Sequence, residues 1–366
     1  MRITGGSNTG SDQRQRRLIL ALMSLLALSS IPLLFAIPRP AGRRAAVNKA
    51  QISTGLEPRE QAENKISVTT HVVSLDVVVT DKDGNYLTSL KKENFRITED
   101  GVPQKITSFS ATDSPITAVL LVEYSQVGGG AFLYNATSWA EVFLRQLEPE
   151  DWVALVTFSM RPKVEVDFTH RWAEVKAALA GMVQPSFREA NLFDGIIDTV
   201  ERLHKVQGKK SILLFASGLD TFSTANLDDV IASLRQSDAV VYSVGVGEQL
   251  FLSLETANGL SGSGRLTYLQ ARNQLARFSE ITGGQAWFPR FEGEIPSIMS
   301  DIAGRLRNQY SLTYTPANAK LDGKYHKIKV ELVAPDGGPL TVLDQNKKPR
   351  KFYVYTRQGY QAAKAD

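Results

Sequence analysis

Apolar positions along this chain follow two different rhythms. Ile116-Thr-Ala-Val-Leu-Leu-Val-Glu-Tyr124 is a nearly continuous apolar block, and the small-residue stretch Ser125-Gln-Val-Gly-Gly-Gly130 follows it. Such a block suits a strand covered on both faces. Residues 152–158, 211–216 and 239–245 repeat the pattern, while 164–168 reads as a short edge strand and 285–288 as another short one. Between them, apolar residues recur at helical spacing over 139–147, 172–182, 192–203, 227–234, 274–281 and 294–307, with Gly283-Gly284 as a C-terminal stop. This alternation predicts a doubly wound, mostly parallel α/β sheet over 113–309, with helices on both faces.

The flanks carry a different pattern. Residues 66–112 hold four short β-branched runs separated by the turn signals Asp81-Lys-Asp-Gly84 and Glu99-Asp-Gly101. Strand patterning returns over 310–360, in Tyr310-Ser-Leu-Thr-Tyr-Thr315, 324–332 and 351–356, before a tail at 361–366. Neither flank has the length to bury a core alone. The two are expected to pair into one small β-sandwich, with the α/β domain inserted between them. Within that domain the Gly/Ser-rich stretch between Glu248 and Gln270 reads as a mobile surface loop. It lacks a Lys-Ser/Thr pair at phosphate-loop spacing, so it is not read as a phosphate cradle.

Ahead of all this lie a polar, Arg-containing start (1–17), twenty uncharged residues (18–37) and a Pro-punctuated linker (38–65). A run of twenty can cross the hydrocarbon as a helix. It is expected to be an uncleaved transmembrane signal anchor, placing the chain in the cell membrane with its folded part extracytoplasmic. The alternatives are a cleaved signal peptide, giving a secreted or periplasmic protein, and a buried helix. Arginines on both sides leave orientation unset.

Composition narrows the chemistry. The formal charge of +4 over 366 residues, part of it at the N-terminus, does not call for a nucleic-acid partner. Trp139, Trp152 and Trp172 fall at helix or strand positions and read as core or core-edge packing, not a base-stacking platform. With no cysteine there is no disulfide, thiolate metal site or cysteine nucleophile. His71, His170, His204 and His326 show no metal-ligand spacing, and no G-x-S-x-G elbow supports a hydrolase, which is kept only as a remote alternative.

The carboxylate of Glu123 stands at the end of the first central strand, the place where ligands collect in open α/β sheets. The order of elements and the Glu-x-Ser-x-Val sequence at 123–127 resemble the von Willebrand factor A-type domain. The stretches Val78-Val-Thr-Asp-Lys-Asp-Gly84, Leu90-Lys-Lys-Glu-Asn-Phe95, Tyr310-Ser-Leu-Thr-Tyr-Thr-Pro316 and Gly359-Tyr360 also resemble a bacterial secreted family with such a domain between β-rich segments. Domains of this type commonly hold a divalent cation through an Asp-x-Ser-x-Ser loop, a Thr and a further Asp. The resemblance carries those positions onto Glu123, Ser125, Val127, Ala190 and Ser217, of which only Ser125 matches outright. One carboxylate and two hydroxyls make a poor Mg²⁺ site. The expectation is therefore a degenerate site without a resident cofactor, a weak Mg²⁺ or Mn²⁺ site at Glu123 and Ser125 staying open.

The function expected from these features is a non-enzymatic interaction or adhesion module at the cell envelope. It would bind a protein or an envelope component through the loops at the C-terminal edge of the sheet, with Glu123, Ser125, Gln126, Asn191, Ser217 and Asp220 as contact candidates. Asp194 and Asp220 also fit plain capping and turn roles. A structural protein that binds or homo-oligomerises through the sandwich is the alternative.

Overall fold

The computed structural model describes residues 72–111, 115–126, 130–182, 187–257, 259, 261–317, 322–342 and 349–364. The chain divides into Met1–Ile66 and Ser67–Asp366, and all described residues belong to the second unit. Four strands come first: β1 (Val73–Asp81), β2 (Phe95–Glu99), β3 (Val102–Gln104) and β4 (Ile106–Ala111). The α/β part then runs β5 (Ile116–Glu123), α1 (Gly130–Leu144), β6 (Trp152–Phe158), β7 (Pro162–Thr169), α2 (Trp172–Ala180), α3 (Leu192–Leu203) and β8 (Lys209–Ala216). It continues with α4 (Leu227–Gln236), β9 (Val240–Gly245), α5 (Glu248–Thr256), α6 (Gly262–Thr282), β10 (Ala286–Trp287) and α7 (Ile295–Arg307). The last strands are β11 (Gln309–Tyr314), β12 (Tyr325–Leu332), β13 (Phe352–Tyr355) and β14 (Gly359–Gln361).

All eight residues of β5 are buried, as a strand at the centre of a two-sided sheet requires. The central sheet has the order β10-β9-β8-β5-β6-β7, parallel except for the antiparallel edge strand β7. One face packs against α1, α2 and α7 through residues such as Phe143, Leu179 and Ile302. The other packs against α3, α4 and α6 through Ile196, Leu234 and Phe278. The chain moves from β5 to β6 on one side and later to β8 on the other, so the sheet switches direction at β5 and opens a crevice at its C-terminal end.

Two antiparallel sheets flank this layer system, ordered β13-β1-β11-β4 and β14-β12-β2-β3. Their shared core contains Leu75, Ile97, Leu312, Tyr314 and Ile328, drawn from both flanks of the chain. The result is a mostly parallel α/β sheet inserted in a β-sandwich.

Two expectations need correction. The Gly/Ser-rich stretch after Glu248 is not a loop: it forms α5 and the first turns of α6. Ser261 caps α6 by accepting from the Gly264 N–H at 3.1 Å, so a local side-chain acceptor offsets the low helix propensity of Gly262 and Gly264. Trp152 stands at the core edge, 41% exposed at the start of β6 and against the His170 ring. Residues 18–37 lie outside the described residues. Among those described, no helix is long and apolar enough to cross a membrane. The longest, α6, carries Arg265, Arg272, Arg277 and Glu280, which are costly in hydrocarbon. The expectations of a transmembrane helix, of membrane contact through 18–37 and of a single-pass location are therefore withdrawn.

Candidate functional site

β5 delivers Glu123 to the crevice between β6 and β8, and the carboxylate is 3% exposed there. A carboxylate so deep must find donors within the fold. The Ser125 hydroxyl donates to Oε1 at 2.6 Å. Oε2 accepts from the Ser217 N–H at 2.7 Å and from the Ser217 hydroxyl at 2.8 Å. Ser217 is held in turn because its Oγ accepts from the Leu219 N–H at 3.2 Å. Gly218 takes φ +85° in this turn, and a Cβ there would stand 2.5 Å from the Ala271 carbonyl oxygen, so α6 approaches too closely for any side chain.

A second set of bonds fixes the neighbouring loops. The Asn191 N–H donates to the Ser159 carbonyl at 2.7 Å, and its side-chain amide reaches Asp194 Oδ2 at 3.1 Å. Ala190, fully buried, donates its N–H to Thr221 Oγ1 and accepts from the Thr221 N–H, both at 2.9 Å. Asp220 accepts from the Phe193 N–H at 3.1 Å and from the Ser223 hydroxyl. Asp194 accepts from the Thr224 and Ala225 N–H groups at 2.9 Å each. Burial works to raise the Asp194 pKa, but these two N–H groups and Asn191 outweigh it and hold the carboxyl below its ordinary value.

The structure therefore brings Glu123, Ser125 and Ser217 together, with Ala190 and Asn191 in the adjoining loop. Val127 lies outside the described residues. This donor set does not fit a divalent cation. Its carboxylate accepts a backbone N–H and two hydroxyls, and Ala190 brings no side-chain oxygen. A cation needs lone pairs directed at it, not N–H groups. Glu123 and Ser125 are also buried, whereas Gln126 is exposed and Ser217 and Asp220 are half-buried. Around them Phe187 and Phe222 are each 51% exposed. Beside Ser217 a groove of about 360 Å³ runs between α5 and α6, lined by Leu219, Phe251, Leu254, Tyr268 and Ala271.

The buried strands, the switch at β5 and the loops at its C-terminal end coincide with one family: residues 119–279 match the von Willebrand factor type A domain. The chain carries a von Willebrand factor type A domain. Among solved structures, similarity is found to the hypothetical protein BatB from Bacteroides thetaiotaomicron, at 14% identity over 53% of this chain and 100% of that one, with a TM-score of 0.40. An aerotolerance-related membrane protein from Bacteroides fragilis gives 14% identity over 53% of this chain and 98% of that one, TM-score 0.40. A von Willebrand factor type A protein from Catenulispora acidiphila gives 9% identity over 82% of this chain and 75% of that one, TM-score 0.42. No curated protein sequence matches the chain. Within this region the Glu123 carboxylate is bound to its own fold, and the chain has no cysteine nucleophile.

A second grouping escaped the sequence reading. Glu99, Asp100 and His326 place ligand atoms within 4.8 Å of one another in the sandwich. More than two hundred residues separate His326 from the two acids, so local spacing holds no sign of it. The strand pairing of Glu99 with Ile328 creates the cluster.

Proposed function

We propose that the chain is a non-enzymatic interaction module that grips a partner protein or cell-envelope component by the C-terminal rim of its von Willebrand A sheet. The contact surface is the described part of the rim, residues 124–126, 187–191 and 217–225, with Gln126, Ser217 and Asp220 supplying hydrogen bonds while buried Asn191 braces the rim from within. The single observation that carries this reading is the internal use of Glu123. With its carboxylate occupied by Ser125 and Ser217, a partner's acid has no metal to bridge to, and the rim instead offers Phe187, Phe222 and the groove beside Leu254. Exposed aromatic anchors beside an apolar groove, surrounded by polar groups, suit contact by shape and burial.

The test is affinity capture from extracts of the source cell, using the full chain as bait. A specific prey should be retained equally in Mg²⁺ and in chelator. Phe187→Ala combined with Phe222→Ala should weaken capture at least tenfold, whereas Trp152→Ala, at the opposite end of β6, should leave it unchanged. Capture that requires Mg²⁺, or that survives alteration of all three loops, overturns the proposal.

A further inference from the structure

We infer that Glu99, Asp100 and His326 form a metal site for Zn²⁺ or a similar borderline cation, bracing the β-sandwich far from the rim of the von Willebrand A domain. Three convergent atoms define it: His326 Nδ1, Asp100 Oδ2 and Glu99 Oε1. Nδ1 lies 2.8 Å from Asp100 Oδ2 and 3.8 Å from Glu99 Oε1. Ligands on one tetrahedral Zn²⁺ stand roughly 3.3 Å apart, so these two distances bracket the value required.

What makes the cluster a site is how each ligand is held from behind. The Tyr314 hydroxyl donates to Glu99 Oε2 at 2.6 Å, and Oε1, which also accepts from the Tyr360 hydroxyl at 3.4 Å, faces the imidazole. The Lys327 N–H donates to Asp100 Oδ1 at 2.9 Å, leaving Oδ2 for Nδ1. Behind the ring, Asp322 Oδ1 lies 3.4 Å from His326 Nε2 and is itself fixed by the Lys324 N–H at 2.9 Å. Nε2 is buried without an aligned hydrogen-bond partner, and Tyr360 stacks on the ring with centroids 5.4 Å apart. A carboxylate behind the distal nitrogen of a histidine is the outer-shell arrangement that orients a metal-binding imidazole.

Charge points the same way. Three carboxylates face one imidazole, and a proton on His326 offsets only one of them. A dication on the Nδ1 side offsets two and gives Nε2 a proton to direct at Asp322. One nitrogen and two carboxylate oxygens form a borderline donor set, which favours Zn²⁺ over Mg²⁺ or Ca²⁺. Glu99 is buried, but Asp100 is about half exposed, so an ion has a route in. The site ties the β2–β3 turn to β12, joining the two flanks of the chain.

The experiment is calorimetric titration of the chelator-stripped full chain with Zn²⁺, then with Mg²⁺, alongside thermal melts. One Zn²⁺ per chain should bind at micromolar or lower Kd and raise the melting temperature, with Mg²⁺ at least about 100-fold weaker. Asp100→Asn, which alters a half-exposed turn residue, and His326→Gln should each weaken Zn²⁺ binding at least about 100-fold, and Asp322→Asn about 10-fold. Glu123→Gln should leave it unchanged, which separates this site from the rim. Circular dichroism of the variants checks that they are folded, and Co²⁺ in place of Zn²⁺ should give a tetrahedral visible spectrum that Asp100→Asn loses. Absence of Zn²⁺ binding up to about 1 mM, or binding untouched by both Asp100→Asn and His326→Gln, overturns the inference.

Discussion

Glu123 shows how one residue can keep its place in a fold while changing its work. Its carboxylate stitches the β5 end to the β8 end through Ser125 and Ser217. Glu123→Ala removes the shared acceptor from the buried Ser125 hydroxyl and from the half-buried N–H and hydroxyl of Ser217, and should cost about 2–3 kcal/mol. Urea unfolding measures this; a cost below about 0.5 kcal/mol, the range of an inert surface change, contradicts the bracing role. Asp194 is the second residue of this kind. Its folded pKa lies below the ordinary value, so its stabilising contribution is complete above the unfolded pKa of about 3.9 and is lost as pH falls through the lower folded value. Asp194→Asn should therefore lose about 1–2 kcal/mol near neutral pH, and the gap to wild type should narrow in unfolding curves recorded at about pH 3. The sequence showed that Val127 and Ala190 bring no oxygen and that Ser217 is neutral. It did not show that Ser217 turns its N–H toward Glu123, because that depends on Gly218 adopting a left-handed backbone under α6.

Among the elements, strands were legible where burial is two-sided. β5, β8 and β9 are buried throughout, with apolar runs at their centres, because helices cover both faces of the sheet. Helices were legible where capping and periodicity agree. In α4, Asn226 accepts from the Asp228 and Asp229 N–H groups at 2.9 and 3.2 Å, while the Asp229 side chain accepts from the Asn226 N–H at 2.9 Å. Asn226→Ala should cost about 1 kcal/mol in denaturant unfolding, a change that also loosens the preceding loop 217–225. Composition misled where capping overrode it, and α6 is the example: glycines and serines at its start suggest a loop, but Ser261 seeds a helix of 21 residues. The β10 strand, only two residues long, is held in register by Gly284, where a Cβ would overlap the Val241 carbonyl.

At the scale of the molecule, the sandwich was legible as a class but not as a set of neighbours. Turn signals and β-branched runs showed that two short flanks must combine, since neither buries enough by itself. They could not show that one sheet alternates strictly between the flanks, in the order β13-β1-β11-β4. That alternation follows from long-range register, such as Leu75 opposite Leu312 and Phe109 opposite Leu312 on the other side. In the other sheet, the pairing of β12 with β2 places His326 beside acids more than two hundred residues earlier, which no local motif could announce.

The interleaving of β1 and β4 with β11 and β13 imposes an order on biosynthesis. While the ribosome is still translating the helices of the α/β part, β2 and β3 can pair only with each other, and β1 and β4 have no ladder partner. The parallel sheet, whose strands and covering helices emerge consecutively, closes first and brings residues 116 and 307 to the same region of the fold, where Arg307 and the Ile116 N–H both meet Asp151. Only when β11 to β14 emerge can the waiting strands be zipped in. The nascent chain thus carries the unpaired edges of β1 and β4 until late in synthesis, and these early strands reach their native ladders only after the α/β part is made.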